Sequence, residues 1–253
     1  MNDSGTPRRG GVQSVDRALD LLEALSEGGP MGVSELVRAT GLPLGTVHRI
    51  LATLTERDYV RQDPERKYAV GAAALGLSDA GEQSLAALGR PYLARLTALT
   101  GESSNLAILQ GHEMVYIAQS PSPHSLRIFA EVGRRVPLHN TAVGKAVLAQ
   151  LGRDHALRLL PQGSLNPATP YTITTPEHLV RELDHIHSVG YSVDEQEREL
   201  GVRCIAAAVP SPGPLRVAIS VSGPSERFSK TDLVEVAPAV RTAARDFAHA
   251  LTR

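Results

Sequence analysis

The sequence predicts an α+β protein in two parts. An N-terminal winged helix-turn-helix is joined by a linker helix to a larger domain of antiparallel strands flanked by helices. Three observations predict this. Residues 33–57 carry two short helical periods parted by Gly41-Leu42-Pro43. Two strand-like runs around an Asp63-Pro64 turn follow directly. Beyond residue 90, strand-like runs and amphipathic helical stretches occur together.

In chain order, residues 1–11 are polar, rich in Gly, Pro and Arg, and lack apolar periodicity, so a disordered arm is expected, with Arg8 and Arg9 free to brush phosphates. A first helix is expected from Ser14, its cap, with Val15, Ala18, Leu19, Leu22 and Leu25 on one face, ending at Gly28-Gly29-Pro30. Val33, Leu36 and Val37 mark the second helix, and Leu44, Val47, Ile50, Leu51 and Leu54 the third. Gly41 suits a position where φ turns positive, and Pro43 suits a helix's first turn, where its missing N–H costs nothing.

In a helix-turn-helix the third helix enters a DNA major groove by its N-terminal end. The residues at that end are Leu44, Gly45, Thr46, His48 and Arg49, where Arg49 reaches guanine or phosphate and Thr46 a phosphate. An ordinary antiparallel helix pair shares this period, but the two strands that follow, residues 57–62 and 67–71, favour a wing. Its tip carries Arg66 and Lys67, placed for the sugar-phosphate backbone or simply solvated.

The division expected is an arm at residues 1–11, a DNA-binding domain at 12–71, a linker helix at 72–89 and a second domain at 90–253. The linker is alanine-rich, suits a dimer contact and is expected to break at Gly89-Arg90-Pro91. The second domain opens with a helix bearing Tyr92, Leu93, Leu96 and Leu99. Strands are then expected at 104–109, 114–119 and 126–131, helices at 141–151, 154–160 and 175–189, strands at 202–209 and 216–222, and a final helix from 230 to about 250.

With 253 residues, 42% of them hydrophobic, the chain is long enough for two buried cores. No N-terminal segment joins basic residues to an apolar stretch, so neither a signal peptide nor a membrane span is expected and the cytoplasm is the default. A single cysteine, Cys204, excludes an internal disulfide and a multi-cysteine zinc site, and the scattered histidines offer no metal framework, so no cofactor is expected. Net charge is −1, so any hold on DNA rests on where the cations sit, helped by dimerisation.

Several segments together resemble the IclR family of bacterial transcriptional regulators, from residue 13 to the C-terminus. They are residues 14–19 (SVDRAL), 41–44 (GLPL), 49–51 (RIL), 68–71 (YAVG), 136–146 (VPLHNTAVGKA), 190–194 (GYSVD), 201–207 (GVRCIAA) and 218–224 (AISVSGP). The resemblance implies a GAF-like second domain that binds a small metabolite at Ala142, Val143, Asp194, Cys204, Ser220 and Ser222, and Gly144 is added to them as part of the same helix N-terminus. It further implies double-stranded operator DNA as partner and a homodimer that pairs into a dimer of dimers. Residues 101–107 (GESSNLA) resemble relatives that control allantoin use. The sequence departs from the family at Gly45, where serine is usual, and from glyoxylate-responsive relatives at Val143, where alanine is usual.

The physics of those positions is coherent. Residues 142–144 begin a helix, whose free N–H groups favour an anion. Ser220 and Ser222, two apart on a strand, point to one face. An ionised Asp194 repels a second carboxylate, so a ligand with a hydrogen-bond donor is expected: glyoxylate as its gem-diol, allantoate, or a related product of purine breakdown. The expected function is a repressor of a catabolic operon; activation, an aromatic acid as effector, or a cysteine-dependent enzyme are the alternatives. The residues also admit plainer roles: Ser220 and Ser222 satisfying strand backbones, Cys204 as a small buried residue, Asp194 as a cap or paired with Arg203.

Overall fold

The computed structural model describes residues 11–128, 130–160, 163, 165–211 and 213–252. The arm expected at the N-terminus lies, but for Gly11, outside them. The chain divides into two units, Met1–Glu82 and Gln83–Arg253.

The first unit holds α1 (Gln13–Gly28), α2 (Val33–Thr40), α3 (Leu44–Glu56), β1 (Val60–Gln62) and β2 (Tyr68–Val70). Its core gathers Leu21 and Leu25 of α1, Leu36 of α2, Val47, Leu51 and Leu54 of α3, and Val60 of the wing. Gly41 closes α2 in the left-handed conformation at φ 68°, donating to the Val37 carbonyl, so the turn asks for a residue without a Cβ. Pro43 sits one position earlier than expected, at the cap of α3. Met31 exchanges two backbone hydrogen bonds with Tyr68, which ties the wing to the segment between α1 and α2.

Two expectations for α1 fail. Ser14 is not the cap: Val12 holds that place, and no side chain caps the helix. Val15 and Leu19 are 54% and 51% exposed, because α2 and α3 cover the half of α1 that carries Leu21 and Leu25.

Helix α4 (Ala73–Thr100) runs through Pro91, so the break expected at Gly89-Arg90-Pro91 is absent. An interior proline costs about 3 kcal/mol. Full burial of Leu93 and Leu96, about 2 kcal/mol each, offsets it.

The second unit is built on a six-stranded antiparallel sheet, in the order β5-β4-β3-β8-β7-β6. The strands are β3 (Ser103–Gln110), β4 (Glu113–Ser120), β5 (Arg135–Pro137), β6 (Ser192–Glu195), β7 (Val202–Ala208) and β8 (Val217–Pro224). Side chains alternate between two cores. Leu106, Ile108, Ile205, Ile219 and Val221 face Leu93 and Leu96 of α4 together with Phe247 of α8 (Lys230–Leu251). Ala107, Ala206 and Ala218 face α5 (Ala142–Gln150), α6 (Arg153–Leu159) and α7 (Pro176–Val189). The result is a three-layer sandwich whose α5 side carries the residues of interest.

The strand expected at residues 126–131 is not formed among its described residues. Its place beside β4 is taken: the Gly133 N–H bonds the Tyr116 carbonyl at 2.7 Å, and the Tyr116 N–H bonds the Arg134 carbonyl at 3.1 Å. Strands β5 and β6, of three and four residues, were not anticipated as strands. Among the described residues no helix is long and apolar enough to cross a membrane.

Candidate functional sites

In the first unit, the N-terminal end of α3 is open. Leu44, Gly45, His48 and Arg49 are exposed, Thr46 is half-buried, and Val47 turns fully into the core. The N–H groups of Leu44 and Gly45 lie in the first turn, where no carbonyl of the helix reaches them. At the wing tip Arg66 and Lys67 are exposed. The tip is held by Asp63, whose carboxylate accepts the Lys67 N–H at 2.8 Å and whose own N–H bonds the Lys67 carbonyl. Lys67 Nζ lies 3.8 Å from Glu65, an exposed pair that contributes little.

In the second unit, a small cavity of about 50 Å³ lies between the N-terminus of α5 and the face of the sheet. Six of the seven positions expected for a metabolite line it: Ala142, Val143, Asp194, Cys204, Ser220 and Ser222. Strand register explains the convergence, since Asp194, Cys204 and Ser222 lie side by side across β6, β7 and β8.

Gly144, the seventh, does not line the cavity. Its N–H is taken by the Thr141 hydroxyl at 3.2 Å, and a Cβ there would stand 2.4 Å from the Leu138 carbonyl. Its part is to let α5 pass close to that segment. The first-turn N–H groups left for an anion are those of Ala142 and Val143. The Ser192 hydroxyl donates to the Ala142 carbonyl at 2.6 Å and pins this end of α5 to β6.

Asp194 departs from expectation. Its Oδ1 accepts the N–H of Glu197 at 2.7 Å and of Arg198 at 3.3 Å, so it caps a turn, while Arg203 pairs with Glu195 instead. Burial, reinforced by the neighbouring Glu197, pushes the Asp194 carboxyl up to about 7. Near neutral pH Asp194 is therefore divided between its protonated and ionised forms, and the premise of a fully ionised Asp194 does not hold. A protonated carboxyl can itself donate to a ligand carboxylate. The Cys204 thiol is pushed up by burial and by Asp194, the reverse of what a nucleophile needs.

Behind Asp194 stands an ionic cluster that sequence reasoning missed. Lys145 of α5 is 1% exposed, and its Nζ meets Glu197 and, at 3.1 Å, Glu182 of α7. Burial raises the Glu197 carboxyl, and Lys145 opposes the shift. Also missed were Tyr116, Arg134 and Arg198 on the cavity wall, and Asn105 beside the serines. Asn105 carried a signal, as a polar residue inside the run at 104–109 that reads as a buried strand. Arg134 and Arg198 lie in irregular segments with no periodicity to place them.

Comparison with known proteins follows the same division. A model described as the IclR helix-turn-helix domain matches residues 14–64, and one described as the bacterial transcriptional regulator IclR C-terminal matches residues 48–249. The chain is 37% identical over 248 residues to the transcriptional repressor IclR of Escherichia coli strain K12, spanning 95% of this chain and 90% of that protein. It is 33% identical over 246 residues to the HTH-type transcriptional repressor AllR of the same strain, spanning 95% and 91%. The crystal structure of the Thermotoga maritima IclR superposes with a TM-score of 0.64 at 25% identity, over 95% of this chain and 99% of that one.

Proposed function

The chain belongs to the IclR family of bacterial transcriptional regulators, and from that premise we propose that it represses a catabolic operon and that a small carboxylate entering the second unit changes its hold on the operator. Membership makes it a DNA-binding regulator and not an enzyme. We assign residues 12–71 to DNA binding, 72–89 to the linker and 90–253 to the effector, with the chain acting in the cytoplasm. The operator contacts are Leu44, Gly45, Thr46, His48 and Arg49 in the major groove and Arg66 and Lys67 on the backbone. The chain acts as a dimer on pseudo-palindromic sites, two dimers pairing, and the effector acts by binding one arrangement better than the other.

One observation carries the effector assignment: first-turn N–H groups of α5 and the hydroxyls of Ser220 and Ser222 meet at one small cavity. Those donors suit a carboxylate, and Asp194 in its protonated form adds another. The effector we assign is glyoxylate or a comparably small oxo or hydroxy acid of purine breakdown. The cavity, about 50 Å³, favours these over allantoate and over an aromatic acid, since a benzene ring occupies a cavity of about 150 Å³.

Calorimetry with glyoxylate, followed by gel shifts on the DNA upstream of the protein's own gene, tests the reading. Heat with glyoxylate and a changed shift support it; tight binding of an aromatic acid with no heat from glyoxylate overturns the effector. Arg49→Ala should weaken specific operator binding by about 1–3 kcal/mol, measured by fluorescence anisotropy. An unchanged affinity removes Arg49 from the interface.

Gly45→Ser should act in the opposite sense. A Cβ at Gly45 meets nothing within 4 Å, so serine fits and adds a hydroxyl beside the phosphate contacts. Gly45 is the second residue of α3, where a glycine costs less than in a helix interior, so the gain in stability is at most about 0.5 kcal/mol. Thermal melts should rise slightly and operator affinity should increase several-fold, on the order of a single added phosphate hydrogen bond.

A further inference from the structure

We propose that Asn105, with Gln119 behind it, fixes the hydrogen-bond polarity of the cavity wall, so that the site takes a carboxylate and turns away the matching carboxamide. This rests on the reading of the cavity as the effector site.

Asn105 sits on β3 with no exposed surface, opposite Ser220 on one side and Gln119 on the other. Its amide is committed at both ends. Nδ2 donates to Ser220 Oγ at 3.4 Å and to Ser222 Oγ at 3.3 Å, while Oδ1 accepts from Gln119 Nε2 at 2.9 Å. Gln119 thereby sets which end of the amide faces the serines.

A hydroxyl that accepts an N–H must send its own proton elsewhere. Ser220 and Ser222 both line the cavity, and for Ser220 the open direction is the cavity itself. The Ser222 hydroxyl is partly taken up by Cys204, whose sulfur accepts from it, which leaves Ser220 as the serine whose proton is free for a ligand. The Ser220 O–H proton therefore points where the Ala142 and Val143 N–H groups also point. A ligand oxygen placed between Ser220 and the end of α5 finds donors from both. The N–H₂ of a carboxamide finds few acceptors and is left buried without partners.

Titration calorimetry on the full chain, with glycolate and glycolamide as probes, tests this. Wild type should bind glycolate at least about tenfold more tightly than glycolamide, since a site built on hydrogen bonds rejects a ligand of the wrong polarity. Asn105→Leu, uncharged and of similar size, should weaken glycolate about tenfold and leave glycolamide unchanged. In a Ser220→Ala, Ser222→Ala background the same substitution should make no further difference. A merely structural role for Asn105 would not produce that result.

Equal binding of acid and amide by wild type overturns the inference, as an Asn105 turned with its carbonyl on the serines would give. So does an Asn105→Leu loss that persists in the double-alanine background. Glycolate bound alike by wild type and Asn105→Leu removes only the role of Asn105 and leaves the effector reading standing. Failure of wild type to bind either glycolate or glyoxylate removes both.

Discussion

Replacing Lys145 with methionine is expected to cost the second unit about 3–5 kcal/mol, the usual penalty for leaving a buried charge without its partner. Lys145 is almost fully buried and is the cation between Glu197 and Glu182. Without it Glu197, 6% exposed and with Oε2 already unpartnered, must hold a proton or an uncompensated charge. Urea unfolding of the variant measures the loss. Adding Glu197→Gln should recover much of it, because a neutral pair needs no counter-charge. A single-variant loss below about 1 kcal/mol would mean that water reaches the cluster and screens it. The effect should extend to the ligand, because the Glu197 N–H holds Asp194 Oδ1 in place.

Carboxylate binding should lose affinity by up to about tenfold per pH unit above pH 7, on the order of a hundredfold between pH 6 and pH 9. The Asp194 carboxyl, pushed up to about 7 by burial and by Glu197, is mostly protonated at pH 6 and ionised at pH 9. A bound carboxylate adds a negative charge beside it and favours the proton further, so above pH 7 binding takes up a proton and below it does not. The sign for folding agrees. With the folded value above the ordinary 3.8, the folded chain holds a proton that the unfolded chain has lost, so stability from this group falls as pH rises from about 4 to 7. Tyr116 and Cys204 are both raised away from this window and His139 is lowered by burial, while Glu197 is raised in the same direction as Asp194, so substitution of Asp194 itself separates the two. Calorimetry in buffers of different ionisation heat counts the protons. Asp194→Asn should give a flat profile from pH 6 to 9, and a sloping one would place the titrating group elsewhere.

What the sequence disclosed follows from where periodicity is strong. The helices of the first unit, the long strands and the final helix are patterned over many residues, and their ends are marked by residues such as Gly41 and Thr141. Short edges were not legible, because three residues such as Arg135-Val136-Pro137 carry no period. Pro91 misled, because local preference cannot report the burial of Leu93 and Leu96 that carries α4 past it. Of the candidate cavity, the resemblance supplied the positions, and side-chain chemistry supplied the reason for an anion. Neither announced the Lys145 cluster, and Asn105 stood out only as a polar residue in a strand-like run, since the partners of both lie far apart in the chain. The protonation of Asp194 was invisible for the same reason: burial is a property of the fold and not of the residue.

The outermost strands of the six-stranded sheet, β5 and β6, are only three and four residues long, one ending in Pro137 and the other in Glu195. Proline withholds a donor and a carboxylate resists desolvation, so neither margin is a template on which a further chain can add a strand. Polymerisation into fibrils through these margins is thereby discouraged. Contacts between copies are likewise steered away from the two margins of this sheet.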